Sequence, residues 1–370
     1  MNPSDIFEDG YALLIGIRYG NWAKPLNGPL NDVDALKKHF EDPLKAAYKP
    51  ENIIVLSETA ATTAGILKAL GELASKANGN PNASVMIYYS GHGGNHDHKY
   101  FLVPYDFNLN EFQQKGVLDE TKAILTAEFA DRLNAINAKK CLVLLDCCHA
   151  ENIPVEKTLA NPTNFLNGFV EELDDALENK ETAQKGMADG IKKGGGRVIL
   201  TSCRAEETSL DLGHISLFTK ILLESLNGAA NIENDGWVRL IDLIRYVPKN
   251  VAEEAMKKFN HPQNPMFKRI ENLGSEDFIV CAYDSAKVKG AALNHSTPQT
   301  TVSHTQLAEI LKSIDRGDYS STFQRLDLLD FENKLQYNRL KREYTAGIKG
   351  IDLMDFGDRL KVFLSTSTFN

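Results

Sequence analysis

Two stretches of this chain deliver reactive side chains at the end of an apolar run. The first is Cys141-Leu142-Val143-Leu144-Leu145-Asp146-Cys147-Cys148-His149. Its apolar residues lack polar alternation, as in a strand buried on both faces of a parallel sheet, and the run then breaks into an acid, two thiols and an imidazole. The second is Val85-Met86-Ile87-Tyr88-Tyr89-Ser90, which runs into Gly91-His92-Gly93-Gly94. Open α/β sheets place their chemistry at the carboxyl ends of their strands. If the two strands are neighbours, His92 meets a thiolate at 147 or 148, the pairing that activates a thiol nucleophile. A free thiol ionises near pH ~8.5, so the site must lower that value with an imidazole or a helix amino end. Which thiol reacts depends on the direction of the pleat, and periodicity alone leaves both open.

Each of these residues has a plainer reading. A strand cysteine is more often a small core residue than a nucleophile, and Cys141, Cys203 and Cys281 are assigned to that class. An arbitrary histidine is more often a hydrogen-bonded loop residue. Around His92, however, Gly91, Gly93 and Gly94 carry no side chains, so a substrate backbone can approach and N–H groups can face a developing oxyanion. A zinc site from His92, His96, Asp97 and His98 with Cys147 and Cys148 is the competing chemistry. No paired Cys-x-x-Cys or helical His-x-x-x-His spacing supports it, so no metal is expected.

The elements that must position these groups read as an alternation of strands and helices. Tyr11 to Ile17, Ile53 to Leu56, the Val85 run, the Cys141 run and Arg197 to Thr201 are strands. Tyr100 to Val103 is a short strand leaving the histidine loop, and Phe278 to Ala282 a final one. Asn31 is expected to cap a helix bearing Val33, Leu36 and Phe40. Thr62 to Ala77, Thr126 to Asn137, Leu217 to Leu226 and most of Trp237 to Lys258 are further helices. This order indicates a doubly wound, mostly parallel sheet flanked by helices.

Between Glu151 and Gly196 some 45 residues intervene, a length typical of a functional or processed segment. Leu166, Val170, Leu173 and Leu177 share one helical face there. Residues 284–304 form a polar linker. In 305–370, Leu307, Ile310, Leu311 and Ile314, then Leu353, Phe356, Leu360 and Phe363, follow helical spacing and mark a small all-α domain.

Composition excludes several classes. The 370 residues carry a net charge of -9, which argues against nucleic acid as partner. No apolar run approaches the ~20 residues of a membrane span, and the acidic amino terminus lacks a signal-peptide pattern. Five cysteines, an odd number, read as free thiols in a reducing, cytoplasmic setting.

Together, Tyr88-Tyr89-Ser90-Gly91-His92-Gly93 and Leu145-Asp146-Cys147-Cys148-His149 resemble the caspase-like clan of cysteine proteases, nearest to bacterial caspase homologues and metacaspases. His92 and Cys148 are 56 residues apart, close to the ~50-residue separation of the caspase signature. Tyr11 to Ile17, Leu30 to Leu36, Leu200 to Glu207 and Ser216 to Thr219 add matches, so the resemblance covers roughly 8–283. It implies Cys148 as nucleophile, His92 as base, and an oxyanion hole from the backbone N–H groups of Gly93 and Cys148. The usual Cys-His-Ser-Gly ending is Cys148-His149-Ala150-Glu151 here, so the following loop is not covered by the pattern.

Asp32 and Asp146 match acids that line the S1 pocket of metacaspases, where caspases that cut after Asp carry glutamine in place of Asp146. As plain residues, Asp32 would favour a helix amino end and Asp146 would bond to backbone at a strand end. Two recessed carboxylates would accept Arg or Lys and repel an acid. Protein or peptide substrates are expected. Calcium dependence is implied by the metacaspase resemblance, but no calcium-loop spacing was found to support it, and Glu171-Glu172-Leu173-Asp174-Asp175 reads as a solvated helix face. No cofactor is therefore expected.

Lys180, Lys185, Lys192 and Lys193, ahead of Gly194-Gly195-Gly196, would suit self-cleavage of an activation segment at 151–196 in a zymogen. Residues 305–370 resemble the helical effector-associated domains that couple bacterial caspase-like proteases to partners, a place for a protein partner or small signalling ligand. The implied role is a regulated effector in bacterial stress, cell death or phage defence. A catalytically silent sensor or scaffold is the alternative.

Overall fold

The computed structural model describes residues 3–78, 80, 82–97, 99–138, 140–149, 169, 172–173, 196–204, 207–231, 233, 235–269, 278–283, 304–316, 318–327, 341, 360–361 and 364. At 148 and 149 it describes the backbone alone. Two compact units result, residues 1–223 with 251–271 and residues 224–250 with 272–370.

The first unit is built on one sheet. Its strands are β1 (Gly10–Gly16), β2 (Ile53–Ser57), β3 (Ser84–His96), β4 (Lys99–Leu102), β5 (Ile124–Leu125), β6 (Lys140–His149), β7 (Gly196–Thr201) and, after the short β8 of the second unit, β9 (Met266–Arg269). The order is β2-β1-β3-β6-β7-β9, with every neighbour parallel except β9 on β7. From β1 the chain moves outward to β2 and returns to β3 on the other side. The strand order therefore reverses beside β1, the crevice where doubly wound sheets hold ligands.

Sequence pattern explains most of this. β1, β3 and β6 are unbroken apolar runs because both sheet faces are covered, and Leu13, Leu14, Ile87, Tyr88, Val143 and Leu144 are all fully buried. The helix Thr63–Ala77 starts where expected, with Thr62 Oγ1 accepting from Gly65 N at 3.1 Å. The helix Pro29–Glu41 is preceded by Gly28 as its cap, three residues before the expected Asn31. Pro29 has no N–H to lose and suits the first helical position, so the helix opens there. Asn31 instead donates to His214 O at 2.7 Å.

The expected histidine loop is also strand. β3 runs past the end of β1 to His96, because β6 stays paired with it on one side and β4 folds back along the other. The turn between β3 and β4 passes through Asp97 at φ 48°, a left-handed position that aspartate tolerates better than most residues.

In the second unit β8 (Trp237–Arg239) pairs antiparallel with β10 (Ile279–Ala282). The expected final strand thus belongs to a separate ribbon, and the helix expected from Trp237 begins only at Leu240. The helices His304–Asp315 and Tyr319–Asp327 pack together. Ser313 and Thr322 hydroxyls meet at 2.7 Å, and Ile310, Ile314, Phe323 and Leu326 are buried. Most of 151–196, the linker 284–304 up to residue 303 and much of 328–370 lie outside the described residues, and the linker's last position, His304, opens a helix.

His39, on the helix that carries Asp32, is 3% exposed, and neither ring nitrogen has a hydrogen-bond partner among the described residues. Burial, with Lys45 adding to it, lowers its pKa to about 3. The unfolded chain takes up this proton near pH ~6.5, so acidification from there toward pH 3 favours unfolding. His39→Leu should raise the thermal midpoint and flatten its decline across that window, measured by calorimetry from pH 7 to 4. An equally steep decline in the variant would refute the assignment.

Candidate active site

The carboxyl ends of β3 and β6 converge in register. Ser90 pairs with Asp146, Gly91 with Cys147, His92 with Cys148 and Gly93 with His149. Adjacent strands lie ~4.8 Å apart, so positions 92 and 148 are one strand spacing from each other. Alternation gives 90, 92, 146 and 148 one parity, and 89, 91, 145 and 147 the other. Tyr89, Leu145 and Cys147 belong to the hydrophobic core, with the Cys147 thiol only 1% exposed.

His92 is held by groups that the sequence reading did not single out. Its backbone N–H donates to the Tyr19 hydroxyl at 2.8 Å, and Tyr19 donates to Val103 O at 2.7 Å. The Tyr89 hydroxyl lies 2.8 Å from the carbonyl oxygens of both His92 and Val103, donating to one at a time. Burial raises both phenols far above their ordinary pKa, so both remain protonated donors. The imidazole stacks on Tyr19, with centroids 4.8 Å apart, and on Trp22 at 5.4 Å.

Two of the glycines are also required by close packing. A Cβ on Gly91 would stand 2.9 Å from both the Tyr19 and Tyr89 hydroxyls, and one on Gly94 would strike the Phe101 ring at 2.4 Å. Their lack of a side chain therefore serves packing around His92. Gly93 sits between β4 and β6, opposite Leu102 and His149.

The two acids do come together. Asp32, in the first turn of the helix Pro29–Glu41, is fully buried, and Asp146 is 5% exposed. Asp32 accepts from Ser216 N at 2.9 Å and from the Ser90 hydroxyl at 3.2 Å. Asp146 accepts from the hydroxyls of Ser216, Ser209 (2.7 Å) and more distantly Tyr88 and Thr219 (both 3.4 Å). Burial and the neighbouring Asp146 carboxylate push Asp32 well above the usual carboxylate range, against the pull of Ser216 and Ser90. Burial likewise raises Asp146, restrained by its hydroxyl donors.

Asp211 completes the surroundings. Its carboxylate accepts from the N–H groups of Asn27 (2.9 Å), Gly28 (3.1 Å) and Gly213 (2.8 Å), tying the turn before the Asp32 helix to the segment 211–216. Ser90 and Ser216 lay within the motif stretches of the sequence. Tyr19, Trp22, Ser209 and Asp211 did not, and only their contacts reveal them. His96 Nε2 lies 3.4 Å from Asp97, and His98 is outside the described residues. Among the described residues no three His, Cys, Asp or Glu side chains gather as metal ligands.

The ends of β3 and β6 thus bring His92 and Cys148 into register beside a buried pair of acids. The family model of the caspase domain, peptidase family C14, matches residues 9–273, and the chain belongs to that family. Its class is accordingly that of the cysteine-type peptidases. Metacaspase-1 of Eremothecium gossypii is 33% identical over 154 residues, covering 38% of this chain and 31% of that protein. Metacaspase-1 of Candida albicans is 30% identical over 162 residues, covering 38% and 33%. The matched region thus spans about a third of the length of either relative. Among solved structures, caspase-1 of Spodoptera frugiperda is similar over 71% of this chain and 86% of its own, at 15% identity and a TM-score of 0.42.

Proposed function

We propose that the chain is an endopeptidase that cleaves proteins or peptides after Arg or Lys. Cys148 is the nucleophile. Its Sγ adds to the scissile carbonyl, His92 takes the thiol proton and passes it to the leaving amine, and water then releases the acyl group from sulfur. The backbone N–H groups of Gly93 and Cys148 receive the oxyanion. Asp32 and Asp146 hold the basic P1 side chain. The observation that carries this reading is the in-register pairing of His92 with Cys148 beside the buried Asp32–Asp146 pair.

The wider role is a regulated effector in bacterial stress, cell death or phage defence, acting in the cytoplasm. Residues 305–370 would receive a protein partner or small signalling ligand, and cleavage at lysines in 151–196 would convert a zymogen. No helix among the described residues is long and apolar enough to cross a membrane.

Fluorogenic peptides differing only at P1 test the reading. Arg and Lys should be cleaved at least ~100-fold faster than Gln or Asp, since leaving a buried charge uncompensated costs ~3–5 kcal/mol. Preference for Asp at P1 would sink it.

A further inference from the structure

We infer that Trp22 is a positioning residue for His92, closing with Tyr19 an aromatic bracket that fixes the plane of the imidazole. The inference rests on the proposed role of His92 as the base.

The bracket is built by the loop that leaves β1. The Glu58 carboxylate accepts from Arg18 N at 2.7 Å and from Gly20 N at 3.2 Å, so one side chain clasps the loop on both sides of Tyr19. Trp22 N donates to Tyr19 O, and Leu26 N to Arg18 O, both at 2.8 Å. Tyr19 adopts φ 55°, a left-handed conformation uncommon for a bulky residue. Such strain persists only where the surroundings over-determine it. Here the surroundings are the Glu58 clasp on one side and the Tyr19 hydroxyl bonds on the other.

That conformation brings three rings into mutual contact. Tyr19 and Trp22 centroids are 4.5 Å apart, Tyr19 and His92 4.8 Å, and Trp22 and His92 5.4 Å, the last pair only 11° from parallel. The second torsion of histidine has broad, roughly two-fold wells, so a strand-end imidazole needs its plane set from outside. An indole face also favours the cation that forms when the base takes the thiol proton.

Trp22 touches the imidazole and the Tyr19 ring, and makes no hydrogen bond to the main chain of His92. The main chain of His92 is anchored by Tyr19 and Tyr89, and neither bond involves the indole. Trp22 is also only partly buried, at the margin of the core. Its loss should therefore spare the fold and the substrate pocket while loosening the base.

The test compares Trp22→Ala and Trp22→Phe in the full chain on one Arg peptide. Trp22→Ala should lower kcat by roughly 5- to 30-fold, from lost orientation and lost stacking, with KM within about twofold. Trp22→Phe should recover most of the loss. In a Trp237→Phe background Trp22 is the remaining tryptophan of the two. Its emission should fall as the stacked imidazole is protonated, and His92→Ala should abolish that response.

A native kcat in Trp22→Ala would overturn the inference. So would emission with the same pH response in His92→Ala, or a loss in KM rather than kcat that Phe does not rescue. A native chain that cleaves nothing would fail the protease reading instead, and the emission experiment would still judge the ring contact.

Discussion

Cys148→Ala should abolish hydrolysis of Arg and Lys peptides, a loss on the order of 10⁴-fold or more in kcat/KM, because no neighbouring group can replace the attacking sulfur. Cys147→Ala should leave kcat/KM within a few-fold of native. The two thiols are adjacent in sequence, yet the pleat gives them opposite parity, and Cys147 is packed into the core with Leu145 and Tyr89. Removing its sulfur should instead cost about 1–2 kcal/mol of stability as a small cavity. The pair of variants thus separates activity from stability, measured by peptide hydrolysis alongside thermal melting. Loss of activity in Cys147→Ala with Cys148→Ala spared would place the attacking sulfur at 147 and break the link between register and chemistry.

The sequence made the sheet legible because its central strands are two-sided. A continuous apolar run bounded by turn signals names a buried parallel strand with little ambiguity, and β1, β3, β6 and β7 formed as expected. Elements stabilised by pairing rather than by their own pattern were not legible. The extension of β3 through Gly91–His96 carries polar and glycine residues, and it is strand only because β4 and β6 flank it. β9 and the helix Leu109–Lys115 escaped for a similar reason, since each is short and draws its order from tertiary packing.

The candidate site divides along the same line. His92, Asp146 and the two thiols were visible because they terminate apolar runs. Asp32 needed the family resemblance, since an acid in a first helical turn is ordinarily a capping charge. Tyr19 and Trp22 lie 73 and 70 positions from His92 along the chain and belong to no local pattern. Only a folded loop with one residue at positive φ brings their rings onto the imidazole.

The acid pair yields the second large effect, and its sign differs for activity and stability. Asp146→Asn should reduce cleavage after Arg or Lys by about 10²- to 10³-fold, the consequence of removing one partner of a buried charge pair. The same variant should melt at a higher temperature than the native chain near pH 8. Two carboxylates buried side by side cannot both ionise freely, and Asp32 is raised by burial and by Asp146. A raised carboxylate pKa means that the folded state holds a proton the unfolded chain has already released. The associated stability is complete below the ordinary carboxylate range and is lost as pH rises through the raised value. Asp146→Asn removes one charge from the pair and so removes the part of that loss that burial of Asp32 does not cause. A basic P1 side chain needs the ionised pair, so its binding should expel the retained proton and KM for an Arg peptide should fall as pH rises from 6 to 8. In Asp146→Asn that slope should lessen and move to lower pH, because burial still raises Asp32 but the like charge beside it is gone. Joint loss of activity and melting temperature, with the KM slope unchanged, would show Asp146 to be a structural acid rather than a wall of the specificity pocket.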